Sequence, residues 1–476
     1  MRYDVTIVGG GVVGCAIAHR LCGSGISVHL VERHPEVGFG TSKANSGIIH
    51  SGHRWPPGTL KGELGWQGNR RWGDLAAELG FGFRVTGDLT CAFDDADVAV
   101  LDEMREWGAE RGVPGLELWD SDRIRNEEPN LSSEVAAALY APDTAVVNPY
   151  EACFALIDHA RRNGVEVSAG DPVVAIATGA DGFEVTTGRR RFDTRFLVNA
   201  AGVDADRVAA LAGAGTFALR ARKGEEYLLD KRLEGIVRRV IYPCPTETSK
   251  GILVIPTFDG TIMVGPTAEL VDDRHDLTTT TRGAEAVFAS AARLVPQIGA
   301  EDCIAEFAGI RAVASDEDFI VAPASIPGLV NVAGIQSPGL TAAPAIAEMV
   351  IDLLTGQGLE TEPTAVRTPP TRPVRVAALS EGEQTELADR DPRYGHVVCR
   401  CELVTEGEIV DAIAAGSRTL DGLKFRTRAG MGRCQGGFCT WRCMQLLSTH
   451  LGVPMPEITK RGGESWMVCG RVETRP

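Results

Sequence analysis

Apolar positions open the chain as a strand-like run, Asp4 to Val8, that stops at Gly9-Gly10-Gly11-Val12-Val13-Gly14. Apolar residues then follow a helical pattern to about Cys22, and a second strand-like run, Ser27 to Val31, ends in Glu32. Strand, glycine turn, helix and strand in that order predict one βαβ unit. A second alternating region runs from Val165 through the strand Phe196 to Asn199 and ends at Ala200-Ala201-Gly202. A third begins with the run Leu329 to Ala333, turns at Gly334 and enters a helical pattern from about Leu340 to Leu354.

The intervening segments differ. Residues 86–141 and 216–302 hold strand-like runs such as Gly251-Ile252-Leu253-Val254-Ile255 and Thr261-Ile262-Met263-Val264-Gly265. They predict an antiparallel α+β, substrate-facing domain inserted into a doubly wound α/β dinucleotide domain formed by 1–85, 142–215 and 303–360. Residues 361–390, rich in Pro, Thr, Glu and Arg, suit an exposed linker, which leaves 391–476 as a small separate domain.

Charge narrows the function. Lys and Arg total 48 against 64 Asp and Glu, a net −16, and such a balance argues against a nucleic-acid backbone as partner. A small anion needs only two or three local cations, so an anionic substrate stays open. No run of about 18 uncharged apolar residues occurs, and the glycine-rich start reads as a nucleotide loop rather than a signal peptide, so a cytoplasmic protein is expected.

Each glycine in Gly9-x-Gly11-x-x-Gly14 has a task. The first permits the tight turn, the second admits a pyrophosphate, and the third packs helix on strand. The helix start offers N–H groups to phosphate, and Glu32 can accept from ribose hydroxyls. The fingerprint alone does not separate FAD from NAD.

Over about 1–360 the chain resembles the D-amino-acid oxidase superfamily of glutathione-reductase-like flavoproteins. The carriers are Gly9–Gly14 with Glu32-Arg33, Gly40-Thr41-Ser42-Lys43-Ala44-Asn45-Ser46-Gly47, Val198-Asn199-Ala200-Ala201-Gly202, Gly309-Ile310-Arg311, and Val332-Ala333-Gly334-Ile335-Gln336-Ser337-Pro338-Gly339-Leu340-Thr341. The resemblance implies FAD. It sets Thr41 and Ser42 by the pyrophosphate, Asn45, Ser46 and Gly47 by the isoalloxazine ring, and the Val173 backbone on adenine. The remaining expected cofactor residues are Gly9, Gly11, Val13, Gly14, Glu32, Arg33, Ala200, Gly202, Gly309, Gly334, Pro338, Gly339, Leu340 and Thr341. The helix from Gly339 would aim its positive end at the flavin edge that becomes anionic on reduction.

His50-Ser51-Gly52-His53-Arg54 follows the flavin loop, where the superfamily places substrate-side residues. Removing hydride from a secondary alcohol leaves a hydroxyl proton for a base, and His50 is the candidate with His53 in reserve. In some superfamily members a histidine here instead carries FAD covalently. Arg54 and Arg311 are candidate anion clamps, since guanidinium forks match carboxylate and phosphate. The arginine pair is similar to that of flavin-linked glycerol-3-phosphate dehydrogenases. Asn45 to Gly52, Pro57 to Lys61 and Ser337 to Leu340 are more similar to L-2-hydroxyglutarate dehydrogenases. Glycerol 3-phosphate and an L-2-hydroxy acid both stay open.

Six of the twelve cysteines crowd into the last 78 residues: Cys399, Cys401, Cys434, Cys439, Cys443 and Cys469. Cys399-x-Cys401 and Cys434-x4-Cys439 suit a 2Fe–2S cluster, whereas zinc more often takes C-x2-C knuckles. Gly430, Gly432, Gly436 and Gly437 leave N–H groups for the sulfurs, and Lys424, Arg426, Arg428 and Arg433 offset cluster charge. The segment resembles bacterioferritin-associated-ferredoxin-like domains fused to flavin dehydrogenases, on Cys399-Arg400-Cys401-Glu402 and Thr427 to Cys439. Cys443 is read as a packing cysteine.

The combined expectation is an FAD-dependent dehydrogenase for a small anionic alcohol, with single electrons leaving through the cluster. The acceptor would be a quinone or a redox partner subunit. Relatives of this kind imply a hetero-oligomer with a second flavoprotein subunit, peripheral to the inner membrane. Two alternatives are an amine or opine oxidase on the same fold and an electron-transfer subunit without a substrate of its own.

Overall fold

The computed structural model describes residues 2–246, 250–362 and 368–468, so Cys469 lies outside the described residues. The chain divides into two compact units. One runs to Pro370 except for Arg33–Glu36, and the other holds Arg33–Glu36 and the chain from Thr371.

The first unit is mixed α/β and contains two large sheets. In the eight-stranded sheet the strand Arg2–Val8 lies between Val28–Glu32 and Arg191–Asn199, with Glu166–Ala169 beyond Val28–Glu32, all parallel. Arg191–Asn199 is long enough to serve two neighbours on its other edge. Its first half pairs antiparallel with Gly182–Thr187, and its end pairs parallel with Leu329–Ala333. Strands buried on both faces read as continuous apolar runs, and Val28–Glu32 and Leu329–Ala333 are buried at every position. The helix Val12–Leu21 is buried nearly all round. Gly14 explains its seat: a Cβ there would meet the Gly9 carbonyl oxygen at 1.9 Å. Gly9, at φ +110°, would strike the Ala200 carbonyl at 2.3 Å if it carried a side chain.

Apolar helix Gly339–Gly356 has the length and composition of a membrane span, but 61% of it is buried within the protein. It packs on the helices Val12–Leu21 and Leu60–Leu79, as a core helix does.

The nine-stranded sheet runs in the order Glu269–Val271, Arg220–Leu229, Ile262–Gly265, Leu253–Pro256, Val240–Pro243, Asp88–Ala92, Ala137–Ala141, Glu117–Asp120. Its pairings are antiparallel except that of Val240–Pro243 with Asp88–Ala92. Cys303–Val313 also joins this sheet, along Arg220–Leu229. Sequence order groups that strand with the dinucleotide segments, but its backbone pairs with the inserted ones. Strand periodicity carries no information about which sheet a strand enters.

In the second unit the stretch read as linker is partly ordered. Glu381–Arg390 is a helix whose start is closed reciprocally by Ser380 and Glu383. The unit's core gathers Ile409, Ile413, Leu423, Met444 and Leu447 beneath Cys399, Cys439 and Cys443.

Candidate functional sites

The glycine turn, the Thr41–Ala44 loop and the end of Arg191–Asn199 form one cradle. The Gly10 N–H donates to Glu32 Oε2 at 2.7 Å, and the Val12 N–H donates to Ser42 Oγ at 2.9 Å. Thr41 Oγ1 donates to the Ile310 carbonyl at 2.6 Å, and Gly309 permits that approach because a Cβ there would lie 2.9 Å from Ala44 Cβ. Asn45 Oδ1 accepts from the Gly47 N–H at 2.8 Å, and Gly47, at φ +72°, sits where a Cβ would meet the Val147 carbonyl at 2.4 Å. Open space faces Gly40 and Gly202, and only Ser42 Oγ comes near Gly11. A backbone-lined cradle with room above its glycines fits a dinucleotide pyrophosphate. No side chain caps the helix at Gly339, which starts beyond Pro338. Val173 opens the strand Val173–Gly179, Gly334 makes its turn at φ +65°, and Arg33 falls in the stretch grouped with the second unit.

His50 is held by polar groups from several elements. Its backbone N–H donates to Thr341 Oγ1 at 3.0 Å, and Asn69 Nδ2 donates to its carbonyl at 3.0 Å. The ring Nδ1 lies 2.9 Å from the Tyr242 hydroxyl and Nε2 lies 3.3 Å from Ser337 Oγ. Ser337 Oγ in turn accepts from Lys250 Nζ at 2.8 Å, and Lys250 sits 4.1 Å above the Trp55 ring. Burial, then the charges of Lys250, Arg54 and His53, push the imidazole well below its ordinary range. Lys250 is likewise pushed well below the usual lysine range by burial and by the charges of Arg54 and Arg311.

Arg54 turns to a buried partner. It donates to Asp88 Oδ1 and, at 2.9 Å, to Thr90 Oγ1, with its guanidinium 3.3 Å from the Tyr242 ring centroid. Asp88, wholly buried, also accepts from Thr144 Oγ1. His53 is wholly buried, its Nε2 is 3.9 Å from Asp88, and neither ring nitrogen has a hydrogen-bond partner among the described residues.

Arg311 donates to the Thr267 carbonyl, and a side chain on Gly224 would collide with its guanidinium at 2.5 Å. Burial lowers its pKa to about 10, against the opposing pull of Glu226. Glu226 is buried, accepts from Ser46 Oγ through Oε1, and leaves Oε2 without a partner among the described residues. Burial raises its pKa to about 7, with Ser46 and Arg311 pulling the other way.

Sequence reasoning did not select Tyr242, Lys250, Ser337, Trp55, Asp88 or Glu226. Ser337 stood inside a motif and Trp55 directly follows Arg54, but Tyr242, Lys250, Asp88 and Glu226 carry no local signal because their partners lie far along the chain.

In the second unit Cys399, Cys401, Cys434 and Cys439 line one cavity of about 170 Å³ with Arg400 and Phe438. Cys401 and Cys434 sulfurs are 3.5 Å apart, and the Cys399 and Cys439 thiols hydrogen-bond each other. Backbone N–H groups of Gly430 and Glu402 reach Cys399. Burial raises the Cys434 thiol, yet N–H groups of Phe438, Gly436 and Gly437 together with the Cys401 side chain hold it below the ordinary value. Four sulfurs surrounded by N–H donors fit a 2Fe–2S cluster. Cys443, one turn beyond Cys439 on the helix Thr440–Leu451, is buried in the core and does not line the cavity.

Residues 4–353 match the FAD dependent oxidoreductase family, and residues 397–449 match the BFD-like [2Fe-2S] binding domain. The chain is 40% identical over 472 residues to the glycerol 3-phosphate dehydrogenase of Caloramator mitchellensis, covering 98% of each protein. It is 28% identical over 405 residues to the mitochondrial L-2-hydroxyglutarate dehydrogenase of Caenorhabditis elegans, covering 73% of this chain and 92% of that one. Among solved structures, dithionite-reduced L-alpha-glycerophosphate oxidase from Mycoplasma pneumoniae with FAD bound aligns with a TM-score of 0.75 at 29% identity, over 78% of this chain and 99% of the other.

Proposed function

The chain belongs to the FAD dependent oxidoreductase family and carries a BFD-like [2Fe-2S] binding domain, and on that premise we propose that it oxidises glycerol 3-phosphate to the corresponding ketone phosphate. The observation that carries this reading is the likeness to a glycerol 3-phosphate dehydrogenase over 98% of both chains, cluster domain included. The likeness to an L-2-hydroxyglutarate dehydrogenase reaches only 73% of this chain. The second reading, an L-2-hydroxy acid as substrate, rests on that likeness.

FAD held in the glycine cradle would supply two-electron oxidation of the alcohol, and a 2Fe–2S cluster on Cys399, Cys401, Cys434 and Cys439 would supply one-electron transfer. The chain's residues hold the anion and take the proton. Arg311, on Cys303–Val313, and Lys250, just before Leu253–Pro256, are the cations that receive the phosphate. Arg54, held by Asp88, keeps Tyr242 in place beneath the imidazole. With Nδ1–H donating to Tyr242, His50 Nε2 is the acceptor for the hydroxyl proton. Burial, with neighbouring cations adding to it, makes the free imidazole a weak base. An incoming phosphate offsets Lys250 and raises its proton affinity, so the base strengthens when substrate is present. The Thr41–Gly47 loop and the start of the Gly339–Gly356 helix would hold the flavin, and the Val173 backbone would hold its adenine. Electrons leave to a quinone or a redox partner subunit.

An anaerobic stopped-flow comparison tests the substrate. Glycerol 3-phosphate should bleach the flavin band at least about a hundredfold faster than L-2-hydroxyglutarate, the discrimination expected when paired cations lose their matched anion. Faster bleaching by L-2-hydroxyglutarate would overturn the assignment in favour of the second reading.

A further inference from the structure

The cluster cavity opens on a patch that ordinary surface chemistry does not account for. Phe438, which lines the cavity, is 86% exposed, and Trp441, one turn further on, is 58% exposed. Val397 and Leu403 are exposed too, so every one of these four side chains lies within three residues of a cavity cysteine. Leu403 also sits at φ +49°, a left-handed conformation that leucine rarely adopts, directly after the Cys401–Glu402 pair. Solvent-facing apolar side chains scattered singly need no explanation, but Phe438 on the cavity itself, with three more within two residues of its cysteines, does.

Charge around the opening runs against the rest of the chain. The whole protein carries −16, yet Arg400 and Arg433 are exposed beside the cysteines. Across 397–403 and 433–441 the only carboxylate is Glu402, which is buried and paired with Arg428 at 2.8 Å. Exposed apolar side chains beside exposed arginines, with no exposed acid within these two stretches, have the anatomy of a transient protein interface.

We propose that Phe438, Trp441, Leu403 and Val397, rimmed by Arg400 and Arg433, are the docking surface for an acidic one-electron carrier protein that takes electrons from the cluster. The inference rests on the reading of the cluster as the electron exit. The aromatic pair supplies desolvated contact area over the cavity, and the arginines steer a partner whose redox centre is ringed by carboxylates. One electron passes from the reduced cluster to the oxidised carrier at each encounter, so the chain's two-electron substrate serves two carriers.

The test uses holoenzyme reduced with dithionite and freed of excess reductant by anaerobic gel filtration, which makes it independent of the substrate assignment. The probes are two high-potential carriers of opposite charge: a plant plastocyanin with its acidic patch, and the basic cytochrome c. Plastocyanin should be reduced faster than cytochrome c, and its rate should fall steeply between about 20 and about 300 mM salt. Phe438→Ala with Trp441→Ala should slow plastocyanin reduction about tenfold or more at unchanged iron content. Arg400→Gln with Arg433→Gln should flatten the salt dependence. Faster reduction of cytochrome c, or plastocyanin rates untouched by both double variants, would overturn the proposal. So would variants that slow cluster reduction by glycerol 3-phosphate while leaving plastocyanin reduction intact. Failure of glycerol 3-phosphate to bleach the flavin would strike the substrate reading alone.

Discussion

Replacing Glu226 by Gln tests whether this buried carboxyl bears the cost that its surroundings imply. Its pKa rises from 4.5 to about 7 because burial outweighs the Ser46 hydrogen bond and the Arg311 charge. A difference of that size corresponds to about 3 kcal/mol. The sign follows from proton counting. Below pH 4.5 the folded and unfolded chains both hold the proton; between 4.5 and 7 only the folded chain holds it, so stability falls as pH rises; above 7 both have lost it and the whole penalty is present. Glutamine keeps the Ser46 acceptor but cannot ionise. Its amide N–H group then occupies the place of Oε2, which has no partner among the described residues, and costs about 1–2 kcal/mol at every pH. The informative quantity is therefore the variant-minus-wild-type difference in Tm, read from flavin release at pH 5 and pH 8. For a unit of this size that difference should rise by about 4 °C from the lower to the higher pH. Parallel Tm-against-pH curves for the two proteins would refute the reasoning, because they would mean that Glu226 ionises alike in both states.

Four further outcomes follow from the same geometry. His50→Asn should lower kcat/KM for flavin reduction by about 10²–10⁴, measured anaerobically, with FAD content unchanged. Lys250→Met should raise KM for the anionic substrate and move the basic group's titration in the kcat/KM–pH profile upward, since a cation that depresses His50 is gone. Asp88→Asn should destabilise the first unit by about 3–5 kcal/mol in thermal or denaturant unfolding, because Arg54 is left buried without its counter-charge. Cys401→Ser should remove the cluster's iron and its electron paramagnetic signal while substrate still bleaches the flavin, separating the two half-reactions.

The parts of the fold carried by short-range chemistry were legible. The glycine turn between Arg2–Val8 and Val12–Leu21 combines a backbone constraint at Gly9 with a packing constraint at Gly14, both within six residues. The four cavity cysteines announce themselves through two short spacings, and they converge because a strand end, a loop and a helix start meet there. What escaped is long-range. Tyr242 and Lys250 reach the His50 site only through the arrangement of sheets and helix, and nothing in their local sequence marks them, while Ser337 lay in a motif whose approach to His50 was not readable. Cys303–Val313 shows the same limit, since its Gly309-Ile310-Arg311 motif was readable and the sheet its strand joins was not. The helix Glu381–Arg390 is a different case. Its Ser380–Glu383 capping pair was present in the text, and composition rich in Pro and Thr obscured it.

The central sheet also dictates a timetable during synthesis. Arg2–Val8 leaves the ribosome before its partners, yet one flank is closed only by Arg191–Asn199, whose own neighbour Leu329–Ala333 follows far later. At ribosomal rates of about 5–20 residues per second, the interval from Val8 to Ala333 is on the order of 16–65 s. Throughout it the nascent chain displays apolar strands with unmet backbone groups, the state most open to wrong pairing. A chain built this way depends on being shielded while it grows, and its yield in a cell should respond to translation speed and chaperone supply before it responds to any single side chain.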